Sequence, residues 1–134
     1  MKDIGIWAVV CTIWILLMIT FVSLLPSRSM ASMSWMALLE MDKLGHMLFY
    51  ALGAWLMNLS IHVYFKKSLV SSMLWVATIM SAYGITIEYI QEGMGYGRTF
   101  DGYDVAANCI GVLVGSIVMY GFKVIFSFIK ADAS

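Results

Sequence analysis

Charge is what this sequence has least of. Eight basic and eight acidic residues among 134 leave it 12% charged and formally neutral at pH 7. A soluble domain carries about 25% charged residues, so an ordinary water-facing surface is excluded. Neutrality and a pI near 6.7 also argue against nucleic acid as a partner, because phosphate binding takes a basic patch. Proline occurs once, at Pro26. The two cysteines, Cys11 and Cys109, make no CxxC knuckle and no disulfide framework, and read as small buried hydrophobes inside apolar runs. There is no GxxxxGK[ST] loop for phosphates, and Ser81 and Ser116 have no base one turn away. Carboxylates and a histidine are donors that Mg²⁺, Mn²⁺ or Zn²⁺ accept. No HExxH or ExxH pair organises them, so the sequence assigns neither a metal nor a cofactor.

What fills the chain instead is hydrocarbon. It is 62% hydrophobic with a mean hydropathy of +0.89. Four runs, 4–25, 44–65, 69–90 and 105–129, reach the ~20 apolar residues that cross a bilayer. Strand-like alternation is absent, so the backbone satisfies its polar groups as helices. The expected fold is all-α: an integral membrane bundle of four transmembrane helices, a single domain over 1–134. The first run is longer than the ~7–15 apolar residues of a secretory signal and reads as a retained span. Pro26 closes it, and the Met- and Ser-rich stretch 30–41 around Trp35 reads as a short interfacial segment. Lys2, Lys66, Lys67, Lys123 and Lys130 fall on one side of such a bundle, and Arg28, Lys43 and Arg98 on the other. That bias puts both termini in the cytoplasm. Six of the eight acids, Glu40, Asp42, Glu88, Glu92, Asp101 and Asp104, then face outward.

Those acids belong to two short polar segments, 40–46 and 88–108. An ionisable group at a helix centre in a membrane costs ~2.5–3.5 kcal/mol on insertion scales, so polar clustering of this kind points to function. Asp42, His46, Tyr50 and Gly53 recur at spacings of four, four and three, which aligns them on one helix face. Glu88 and Glu92 form a like-charged i,i+4 pair for which Arg98 is the nearest counter-charge, and Gln91 lies beside them. Asp101, Asp104, Asn108, Gly111 and Gly115 form a polar-to-glycine stripe, with Asp101 or Gly102 capping the helix. The GxxxG pair permits close helix contact. His46, Glu88 and Asp104 are the candidates for acid–base work. Asp42, Lys43, Tyr50, Gln91, Arg98, Asp101 and Asn108 are the candidates for binding, with Arg98 gripping an anion. Membrane lipids are the expected partners, with a phosphorylated or glycosylated lipid as the ligand class. Catalysis, non-catalytic binding and a purely structural polar cluster remain open.

The run Asp42-Lys43-Leu44-Gly45-His46-Met47-Leu48-Phe49-Tyr50-Ala51-Leu52-Gly53 resembles the first signature of the VanZ-like family. Glu88-Tyr89-Ile90-Gln91, followed by Arg98, Asp101, Asp104-Val105, Asn108 and Gly111, resembles its second block, as does the exit Ser23-Leu24-Leu25-Pro26. The resemblance implies a small bacterial four-helix protein of the cytoplasmic (inner) membrane and cell envelope. That setting implies a lipid-linked envelope precursor as ligand, and the family's namesake is associated with resistance to the glycopeptide teicoplanin, which adds a glycopeptide-like ligand to the candidates. The family's recurring polar residues fall on Asp42, Lys43, His46, Tyr50, Glu88, Gln91, Arg98, Asp104 and Asn108.

Overall fold

A computed structural model describes residues 2–25, 41–95 and 99–132, all helical apart from short turns. The helices are α1 (Lys2–Ser23), α2 (Met41–Val63), α3 (Leu69–Gly93) and α4 (Gly102–Asp132). At 1.5 Å per residue they are about 33–46 Å long, enough to cross a ~30 Å hydrocarbon layer. All four carry a stretch apolar enough to span a membrane. Their ends run past the apolar windows, α2 starting at Met41, α3 continuing to Gly93 and α4 starting at Gly102. Backbone hydrogen bonding continues through polar residues that hydropathy leaves out. The expected interfacial segment, together with Pro26, lies outside the described residues. α1 itself gives out at Ser23, where Leu24 N–H and Leu25 N–H bond the Thr20 and Val22 carbonyls at 3.0 and 3.3 Å.

The connection between α2 and α3 is tight. Lys66 takes a left-handed φ of 54°, and His62 Nδ1–H donates to the Lys67 carbonyl at 2.8 Å. Ser68 then caps α3 by accepting from Ser71 N–H at 3.1 Å. This short turn makes α2 and α3 antiparallel neighbours.

α2 is the helix that touches all the others, most extensively α4. Backbone proximity explains why: a Cβ on Gly111 would run into the Met47 carbonyl oxygen, and one on Gly115 into that of Ala51. Only residues without a side chain let α4 lie that close. Hydroxyls and amides tie the remaining pairs. Thr12 and Ser60 share a 3.0 Å hydrogen bond between α1 and α2. Tyr83 OH donates to the Leu16 carbonyl at 2.8 Å and lies 2.6 Å from Thr20 Oγ1, joining α3 to α1. Asn58 Nδ2 donates to Ser116 Oγ at 3.1 Å, joining α2 to α4. Between these ties, Ile15, Ile19, Tyr50, Ala54, Val76, Met80 and Val112 form the core.

The outside of the bundle is as apolar as its inside. Trp7, Trp14, Phe21, Leu74, Ile117 and Phe126 are all more than half exposed. Such a surface is stable against lipid tails rather than water, and the chain is a multi-pass membrane protein. Cys11 is exposed on this surface, not buried as its apolar run implied, because α1 contributes only one face to the bundle.

Gly115→Val should therefore force α4 off α2 and lower the unfolding free energy by at least ~1–3 kcal/mol, the usual range for overpacking. Gly121→Ala, where an added Cβ meets nothing within 4 Å, should be neutral or slightly stabilising. Denaturant unfolding in mixed micelles measures both.

Candidate functional site

Where α2 begins, α3 ends and α4 begins, each helix supplies two positions one turn apart. α2 brings His46 and Tyr50, α3 Gly84 and Glu88, and α4 Asp104 and Asn108. Spacing of four residues stacks each pair on the face turned to the bundle. The result is two polar layers. The first holds His46, Glu88 and Asp104, which are 8%, 1% and 9% exposed. One donor atom from each of the three lies within 4.8 Å of the others. The second holds Tyr50 and Asn108 around Gly84, where an added Cβ would be 3.1 Å from Asn108 Nδ2 and 3.3 Å from Tyr50 OH. Glycine at position 84 leaves the room those two groups fill.

The layers are joined through His46. Its Nδ1 lies 3.0 Å from Asn108 Oδ1, an atom that only accepts, so Nδ1–H is the donor. The His46 and Tyr50 rings stack with centroids 6.5 Å apart. Among the described residues Tyr50 OH and Asn108 Nδ2 have no hydrogen-bond partner, although both are fully enclosed. Taking an isolated carboxylate out of water costs several kcal/mol even after relaxation. Two carboxylates and an imidazole from three helices do not meet in a buried layer through hydrophobic packing alone. Chemically, the set can exchange protons, orient a hydroxyl or water, or hold a cation.

The other sequence candidates fall elsewhere. Lys43 Nζ is 3.6 Å from Asp101 Oδ2 with both side chains over a third exposed, and Lys43 also sits 5.9 Å from the Tyr103 ring centre. These residues clasp the starts of α2 and α4 at the surface. Asp101 is the cap of α4: its Oδ1 accepts from Tyr103 N–H at 2.8 Å and its carbonyl from Asp104 N–H at 3.1 Å. Gln91 is buried, and its Nε2 donates to the Ser23 carbonyl at 2.7 Å, so it fastens the end of α3 to the end of α1. Glu92 is exposed whereas Glu88 is buried, so this like-charged pair does not share one environment. Asp42 lies on α2 one turn before His46, and its side chain is outside the described residues, as is Arg98. Gly84 and Tyr83 carry more of the architecture than the sequence pattern indicated. The available signal was a residue without a side chain one turn below a buried acid.

The family model described as VanZ/LLP1 matches residues 7–126, which takes in part or all of every helix. No curated protein and no solved structure matches the chain.

Gln91→Leu should cost ~1–2 kcal/mol of unfolding free energy through loss of its buried hydrogen bond to α1. Lys43→Ala, which removes a solvent-screened pair, should change it by less than ~1 kcal/mol. Equal effects in the same unfolding assay would contradict this division between buried and surface polar residues.

Proposed function

The chain belongs to the VanZ/LLP1 family, and from that premise we propose that it is a cell-envelope membrane protein whose buried polar layer takes a lipid-linked, phosphorylated ligand. The observation that carries this reading is the convergence of His46, Glu88 and Asp104 from three helices, with donor atoms within 4.8 Å of one another. Intramembrane ionisable groups that face a bundle interior are the usual mark of a substrate or proton site. In this reading His46, Glu88 and Asp104 move or hold the proton. Arg98 is the cation that grips the anionic headgroup. Tyr50 OH and Asn108 Nδ2 are buried donors available to a ligand oxygen.

An apolar groove supports the same reading for a lipid tail. An apolar groove of about 380 Å³ runs between α2 and α4, lined by Leu52, Trp55, Val114, Val118 and Phe122 among others. It starts at Ala51, next to the Tyr50 of the polar layer, and continues down both helices. A headgroup in the polar layer with a hydrocarbon chain in this groove matches the amphipathic character of a lipid-linked precursor. The lysine and arginine bias supports a bacterial inner-membrane topology with both termini inside and the polar layer on the outer face.

Polyprenyl phosphate titrated into the purified chain in nanodiscs should bind saturably, and Glu88→Gln and Arg98→Ala should each weaken that binding at least tenfold while leaving the protein folded. Release of a product would identify an enzyme, and saturable binding without turnover a carrier or sensor. Variants that bind as well as the wild type would contradict the reading. In a Cys11→Ala/Cys109→Ala background, a membrane-impermeant thiol reagent should label Thr99→Cys in intact cells and Lys67→Cys only after permeabilisation. The reverse pattern would invert the topology.

A further inference from the structure

We propose that His46, Glu88 and Asp104 form a binding site for one first-row divalent cation, Mn²⁺ or Zn²⁺, with Asn108 as its positioning residue. This deepens the proposed function and rests on reading the polar layer as a ligand site.

The first argument is geometric. Three donor atoms no more than 4.8 Å apart leave a point within about 2.8 Å of all three, against metal–ligand bonds of about 2.0–2.2 Å. Small side-chain rotations close that gap, and the ligands come from three separate helices that the glycine contacts already hold together. The donor set is the second argument. Two carboxyl groups and an imidazole offer the oxygen and nitrogen donors that a first-row divalent ion accepts. A single imidazole among carboxylates suits manganese and zinc better than the all-oxygen preference of calcium.

The third argument is independent of the cluster itself. A metal-bound histidine nearly always donates its other ring N–H to a carbonyl or carboxylate, which fixes the tautomer and orients the ring. His46 meets that condition: its Nδ1–H donates to Asn108 Oδ1 at 3.0 Å, so ligation would run through Nε2. The same amide leaves Nδ2, together with Tyr50 OH, fully buried and without a hydrogen-bond partner among the described residues. These unpartnered groups line the layer directly beneath the three ligands. An ion with three protein ligands keeps a coordination position for water or a ligand oxygen, and that oxygen is the kind of partner these groups require.

The test uses the full chain in detergent, with any affinity tag removed and the protein first treated with chelator. Mn²⁺ binding is followed by loss of the free-ion EPR signal, and Zn²⁺ binding by calorimetry and elemental analysis. One ion per chain is expected. His46→Ala and Asp104→Asn should each weaken binding at least tenfold, Asn108→Ala by about 10–100-fold, and Glu92→Gln not at all. The wild-type Tm should rise on adding Mn²⁺, a readout that needs no variant to fold. Absence of saturable binding by the wild type, or binding that these variants leave unchanged, would overturn the site. If polyprenyl phosphate binding is lost in Glu88→Gln while no metal binds, the proposed function stands and the metal site falls. If the metal binds as expected but the variants keep full lipid affinity, the ion site stands and the proposed function falls.

Discussion

The backbone contact between α2 and α4 is the constraint on which the rest of the molecule depends. With Gly111 against the Met47 carbonyl and Gly115 against that of Ala51, α4 lies nearer to α2 than any side chain would allow. In a membrane the hydrophobic effect does little to pull helices together, so close packing and interhelical hydrogen bonds take over. The glycine pair sits directly below Asn108 on α4 and beside Tyr50 on α2. It therefore sets the separation at which Asn108 can reach His46 and Asp104 can join the same layer. The α3 component comes in through Gly84, whose missing side chain makes room for Tyr50 and Asn108.

Polar groups in this bundle divide by what they do. Thr12, Ser60 and Asn58 each make one interhelical hydrogen bond and also reach a carbonyl of their own helix, Ser116 accepts from Asn58, and Tyr83 reaches both Thr20 and the Leu16 carbonyl on α1. Each such bond contributes modestly, on the order of 1 kcal/mol. Lys43 and Asp101 pair at the surface, where solvent screens them. His46, Glu88 and Asp104 differ from both groups in being ionisable, buried and mutually adjacent. They lie at one end of the bundle, and the lining of the apolar groove between α2 and α4 begins one residue after Tyr50, at Ala51.

Much of this was legible in the sequence because a bilayer simplifies the reading. Four apolar runs of spanning length could only be helices, and spacing of four within a helix put His46 with Tyr50 and Asp104 with Asn108. Asp101 as a cap and the glycine pair as a contact surface also follow from local rules. What stayed hidden depends on relations between helices, which no spacing within one helix encodes. The bond from Gln91 Nε2 to the Ser23 carbonyl, 2.7 Å away on α1, is one such relation. Lys43 and Asp101 pair with each other across the starts of α2 and α4, a relation between helices that neither segment shows alone. The three-helix meeting of His46, Glu88 and Asp104, and the role of Gly84 beside it, emerge only from packing.

The central claim is that these three side chains act as one unit. A double-mutant cycle on reversible unfolding in mixed micelles, using His46→Ala, Asp104→Asn and the pair together, tests it most directly. A coupling of about 1 kcal/mol or more is expected for residues in one buried cluster. Additivity within ~0.3–0.5 kcal/mol, the behaviour of independent sites, would contradict it.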